Sequence, residues 1–201
     1  MGGTDRSEAG RDSFSMTPDV EKPFKDQLVQ AILKDHPHLS PRLLAATIRL
    51  PRSSFFPGEP PERLFSQFHP KGWGGRIAPS ILDALLILTE HPIHPGDRVA
   101  VFRLTDPYFL LLLLELTHRV VLVEDSEDLF PKIQESVRDL GHAYIPVLPS
   151  LSGLSGLPSP VLSILHVGGE GESPLNGNGN GLPKDRIKSW KIGSHLEKME
   201  S

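Results

Sequence analysis

The sequence holds no cysteine, which excludes disulfide scaffolds, thiolate metal sites and cysteine nucleophiles together and makes a reducing, cytoplasmic compartment the expectation. It also lacks a long hydrophobic run. The longest, Phe109 to Leu114, is six residues, about a third of the ~18 that a bilayer span requires. Charge of one sign is not in excess: 21 Lys and Arg stand against 25 Asp and Glu, a net of −4. The basic residues are scattered rather than striped, so no phosphate-tracking surface and no nucleic-acid partner are expected. Met1 to Met16 is Gly, Ser, Asp and Arg without an apolar stretch, so no signal peptide or membrane anchor is expected there.

What is present describes one domain. Two hundred and one residues, 38% apolar and 23% charged, suffice for a single core and leave little for a second. Twenty prolines and 18 glycines gather in linkers and near the C-terminal end. Residues 1–17 are accordingly expected to be a disordered leader, 18–167 the folded domain, and 168–201 a flexible Gly/Asn-rich and charged tail. Within the tail, Ile187, Trp190 and Leu196 admit a short amphipathic helix, interrupted by Gly193, with disorder the preferred reading.

Along the folded part, Phe24, Leu28, Val29, Ile32 and Leu33 have helical spacing after Pro23, and Ser40-Pro41 opens a second helix that stops at Pro51. Together they predict a helical N-terminal cap. Residues 57–76 form a long Pro/Gly-rich loop, and Pro79 opens a helix through Ile81, Leu82, Leu85, Leu86 and Leu88. Then the period changes. Strands are predicted at Asp97–Phe102, Arg119–Glu124, Ala143–Leu148 and Val161–Val167, with helices at Tyr108–Thr117 and Ser126–Leu140, the latter ended by Gly141. Strand alternating with helix is the pattern of an α/β, Rossmann-like, doubly wound and mostly parallel sheet.

Several motifs lead nowhere. His36-Pro37-His38 and His91-Pro92-Ile93-His94 have neither a cysteine nor a helical His-Glu arrangement beside them, so no metal site is expected. Gly153-Leu154-Ser155-Gly156 lacks the spacing of a nucleophile elbow, and Gly168 to Gly171 lacks the Lys-Ser/Thr of a phosphate loop. Trp73, inside the glycine loop, is suited either to stacking on a ligand or a partner or to core packing.

Four elements in series resemble protein-L-isoaspartate (D-aspartate) O-methyltransferases, a branch of the class I S-adenosylmethionine-dependent methyltransferases. They are Pro51-Arg52-Ser53-Ser54-Phe55-Phe56-Pro57; Pro70-Lys71-Gly72-Trp73-Gly74-Gly75-Arg76-Ile77 followed by Ala78-Pro79; the turn His94-Pro95-Gly96-Asp97-Arg98-Val99; and the acidic Glu124 after the second strand. The resemblance spans roughly Lys22 to Val167 and implies a sheet of about four strands in the order 3-2-1-4, since the 34 residues after Val167 are too few for the remaining three strands of that fold.

The resemblance also implies where a cofactor would sit, and there the sequence departs from the family. Arg103, Thr105 and Pro107 stand at the three positions of the family's Gly-x-Gly-x-Gly cofactor loop, where side chains and a fixed proline angle would enter the cofactor's volume. Glu124 matches the residue expected to reach a ribose hydroxyl, with a solvated strand end beside Asp125 the preferred reading. Ile77, Ala78 and Pro79 are the remnant of the substrate loop, with the serine between Ile and Ala missing.

Two functions follow as expectations. One is a non-catalytic methyltransferase-like protein acting as a structural or interaction subunit, with no cofactor. The other is an active S-adenosylmethionine-dependent carboxyl methyltransferase acting on isoaspartyl groups. For the first, a protein partner or a second copy is expected at the open edge of strand 161–167 or at helix 108–117; for that helix, burial inside its own domain is the equal alternative.

Overall fold

A computed structural model describes residues 18–158, 161, 163–168 and 187–191. The predicted leader, the Asn/Gly segment and residues 192–201 lie outside the described residues.

Helix α1 (Pro18–Asp35) begins a turn earlier than predicted, so Pro23 falls inside it. It packs on α2 (Pro41–Arg49) and on the short α3 (Pro61–Leu64), completing the predicted cap. A buried ion pair ties this cap down: Lys25 Nζ lies 2.7 Å from Glu21, and the Ser53 backbone N–H donates to the same carboxylate at 2.7 Å. Burial alone would raise the Glu21 carboxyl, but the hydrogen bonds from Lys25 and Ser53 outweigh it and hold it below its ordinary value.

Helix α4 (Ile81–Glu90) starts after Ser80, whose hydroxyl accepts the Asp83 N–H. The βα alternation then runs β1 (Val99–Phe102), α5 (Pro107–Leu114), β2 (Val120–Val123), α6 (Phe130–Asp139), β3 (Val147–Leu148) and β4 (Ser163–Gly168). Gly141, at φ 81°, turns the chain after α6 as predicted. The third strand is shorter than expected: Pro146 has no N–H to give, and its carbonyl accepts Leu122 N–H just before the two paired residues.

All strand pairs are parallel and the order is β3-β2-β1-β4, as the resemblance implied. A fifth strand, β5 (Ile187–Lys191), extends it alongside β4. This corrects two expectations. Ile187–Lys191 form a strand, neither the disorder preferred for this segment nor the alternative short helix, and the β4 edge expected to receive a partner is taken by the chain's own β5.

Alternation along the strands separates two cores. Val99 and Val101, Val120 and Leu122, and Leu165 face the larger one, which collects the buried residues of the helices. Ala100, Phe102, Val121, Val123 and Ile164 face the smaller one, covered by Leu154 and its neighbours in the 3-10 segment Leu151–Gly156. Helix α5 belongs wholly to the larger core: Leu110, Leu112 and Leu113 are fully buried and only Leu111 of the run 110–114 is partly open. It therefore offers no broad apolar docking face, because its own domain covers it on every side but that of Leu111.

Candidate functional site

In an open parallel sheet the natural ligand crevice lies at the carboxyl ends of the strands where the strand order reverses, here beyond β1 between β2 and β4. The residues 103–106 joining β1 to α5, the residues after β2, and the loop 70–79 converge on it.

Arg103 follows β1 directly and has φ 54°, the left-handed region that glycine takes without cost. The backbone thus keeps a glycine-like turn although the side chain is large. That side chain turns to Asp125, where Nε and Nη2 donate to the two carboxylate oxygens at 2.8 and 3.0 Å. This hydrogen bonding holds the Asp125 carboxyl below its ordinary value.

Thr105 and Pro107 serve the start of α5. Thr105 is buried and donates its hydroxyl to Asp106 at 3.0 Å, while Pro107 occupies the first helical turn. Asp106 is the N-cap, accepting Phe109 N–H at 2.9 Å. Burial raises its carboxyl above the ordinary range, opposed by the positive charge of Arg52.

Loop 70–79 closes over these residues as a tight hairpin. Gly72 N–H donates to Arg76 O at 2.7 Å, Lys71 and Ile77 form an antiparallel bridge, and Ala78 N–H returns to Pro70 O at 2.8 Å. Its tip presses on the β1–α5 connection: Trp73 N–H donates to Thr105 O at 2.8 Å, and a Cβ on Gly72 would lie 2.1 Å from that same oxygen. Only a residue without a side chain permits this approach. Trp73 packs against the core, so of its two sequence readings the structure supports packing.

Glu124 receives what the hairpin delivers. Its side chain is 1% exposed, and Arg76 donates to both of its oxygens, Nη1 to Oε2 at 2.5 Å and Nη2 to Oε1 at 2.9 Å. Ser126 N–H adds a third donor to Oε1 at 2.9 Å. Of the two sequence readings, the solvated strand end is therefore excluded: Glu124 is buried and paired, while Asp125 beside it is exposed.

The remnant substrate loop is split. Ile77 is half exposed, Ala78 is buried, and the Pro79 carbonyl accepts Nη2 of Arg52 at 2.8 Å. Arg52 was not singled out as a site residue from the sequence. It is 1% exposed, with its guanidinium over the rings of Tyr108 (4.9 Å) and Phe56 (5.2 Å). Burial lowers its basicity and pushes the Tyr108 hydroxyl up to about 12. Beneath the hairpin, His69 Nε2 lies 2.6 Å from Asp83, which also accepts the Ser80 hydroxyl at 2.9 Å. Burial would raise Asp83, but these bonds outweigh it and hold it low. Ser80 does not reach His69 as a nucleophile would reach its base; both simply satisfy one carboxylate.

Among the described residues no group of three or more His, Cys, Asp or Glu is placed to hold a metal ion, and no helix is long and apolar enough to cross a membrane. No protein-family model matches the sequence, and no curated protein matches it. Among solved structures, a protein-L-isoaspartate O-methyltransferase superposes over 82% of this chain with a TM-score of 0.58 and 20% identity. The chain has that methyltransferase's fold. It matches 52% of that protein's length, about half. At 20% identity the methyltransferase fold is what the likeness conveys; the chemistry has to be argued from the crevice itself.

Proposed function

We propose that the chain is a non-catalytic methyltransferase-like protein that acts through contacts, as a structural or interaction subunit, rather than through methyl transfer. One observation carries this reading: Glu124, the acidic residue where a methyl donor's ribose would be held, spends both oxygens on Arg76. S-adenosylmethionine does not fit the residues present. Its ribose would have to displace a two-pronged ion pair to the buried Glu124, and its charged amino-acid end would meet a connection already pressed down by the Gly72–Trp73 backbone. The partner would use a surface other than the β4 edge or α5, since both are covered by the chain itself.

A second reading, an S-adenosylmethionine-dependent methyltransferase acting on isoaspartyl carboxylates, is favoured by the left-handed backbone at Arg103, which keeps the turn that the family's first glycine would make. Calorimetry with S-adenosylmethionine and S-adenosylhomocysteine at millimolar ligand separates the two. The non-catalytic reading expects no saturable heat with either. Saturable binding of the donor overturns it.

A further inference from the structure

The sheet ends differently at its two sides. At one side β3 pairs through Val147 and Leu148 alone, between Pro146 and Pro149, so neither flanking residue has an N–H to offer a further strand. That edge is short and blocked by proline. At the other side β5 pairs with β4 from Ile187 opposite Ile164 to Lys191 opposite Gly168, and among the described residues no strand lies beyond it. An edge strand presents on its far side a row of N–H and C=O groups that its one neighbour does not use. At about 3.3 Å per residue the edge of β5 is about 17 Å long, enough to seat a strand of ordinary length.

The sequence of this edge says what charge such a strand would carry. The chain as a whole has a net charge of −4, yet Lys184, Arg186, Lys188 and Lys191 gather in and just before β5 against the single acidic Asp185. Lysines on an edge oppose pairing with a second copy, because self-pairing sets like charges beside one another. The same lysines favour a strand of opposite sign. A nucleic acid or an anionic membrane would use the charge and leave the backbone edge idle, whereas an acidic strand uses both.

We propose that the free edge of β5 is a docking surface for an extended acidic segment of a partner protein, which joins the sheet beside Ile187–Lys191. Main-chain hydrogen bonds hold that segment, and the basic run 184–191 selects its charge. The inference rests on the interaction-subunit reading, and adds the surface and the chemistry of the partner.

The full chain, isotope-labelled for NMR, is titrated with acetyl-Glu-Val-Glu-Val-Glu-Val-amide, with the same peptide methylated at every backbone nitrogen, and with its counterpart carrying lysine for glutamate. The acidic peptide is expected to bind saturably and to shift the amides of Ile187–Lys191. The other two are expected to bind about tenfold more weakly or less, one lacking main-chain donors and the other the complementary charge. Lys188→Glu combined with Lys191→Glu is expected to move the preference to the lysine peptide; the comparison of the three peptides on the wild-type chain decides the matter even where that variant does not fold. Equal binding of the methylated peptide reduces the edge to an anion patch and overturns the docked strand. Absence of binding by the acidic peptide, or shifts confined to residues outside β5, overturns it as well. A dimer seen by light scattering that dissociates as the peptide binds assigns the edge to a second copy and overturns the acidic partner. None of these outcomes touches the non-catalytic reading, which falls only to saturable binding of S-adenosylmethionine.

Discussion

Replacing Gly72 by alanine tests how the hairpin is seated. Gly72 has φ −97°, an ordinary angle, so its need for glycine is one of space. The added Cβ would lie 2.1 Å from Thr105 O, 3.0 Å from its carbonyl carbon and 3.2 Å from Asp106 Cβ. Carbon and carbonyl oxygen come into contact at about 3.3 Å, so backbone must part from backbone by about 1 Å. Overpacking of that kind costs about 1–3 kcal/mol, and the Trp73 to Thr105 hydrogen bond adds about 1 kcal/mol. The sum, about 2–4 kcal/mol, corresponds to a fall in Tm of about 4–16 °C for a domain of this size.

Gly75→Ala is the control. Gly75 has φ 75° with nothing within 4 Å of its would-be Cβ, so alanine there meets only backbone strain, about 1–2 kcal/mol. Urea unfolding followed by circular dichroism should rank Gly72→Ala as the more damaging. Equal losses, or the reverse order, refute the argument that the hairpin rests on Thr105 by direct backbone contact.

Other outcomes follow from the same contacts. Asp83 and Glu21 are held below their unfolded values, so their stabilisation is full above the unfolded carboxylate pKa, about 4, and is lost as pH falls through the folded values; Asp106, raised by burial, opposes this. Tm against pH should therefore drop below about pH 4, and Asp83→Asn should flatten the drop; an unchanged acid limb contradicts it. Arg103→Gly should leave stability within about 1 kcal/mol of wild type, since relief of the left-handed backbone offsets the loss of a half-exposed ion pair, whereas Arg103→Val should cost about 2 kcal/mol. A large loss in the glycine variant, measured by urea unfolding, would mean that the Asp125 pair carries the turn. Asp106→Ala should cost about 1–2 kcal/mol and Asp106→Asn much less, because asparagine keeps the N-cap acceptor; equal costs in the same assay would deny the cap its role.

Local chemistry was readable in the sequence where it decides structure locally. Val99–Phe102 and Val120–Val123 are short apolar runs between helical patterns, and their parallel pairing follows from the βαβ connection. Asp106-Pro107, an N-cap followed by proline in the first turn, is a signal that was present and would have assigned Asp106 to α5. Long-range choices were not readable. Arg76 and Glu124 are 48 residues apart, and nothing near either names the other. Ile187–Lys191 carries spacing that suits helix as well as strand, and its pairing with β4 decides the matter. At Arg103 the residue type argued for a side chain entering the cofactor's volume, yet the backbone holds φ 54° and the side chain is turned to Asp125, an acceptor 22 residues away.

The proposed closure of the crevice by the Arg76–Glu124 pair is tested by a crystal structure of the full chain soaked with millimolar S-adenosylmethionine. The guanidinium fork should still lie on both Glu124 oxygens, with no donor between the ends of β1 and β2. A donor seated there, with its ribose hydroxyls on Glu124 and Arg76 swung away, contradicts it.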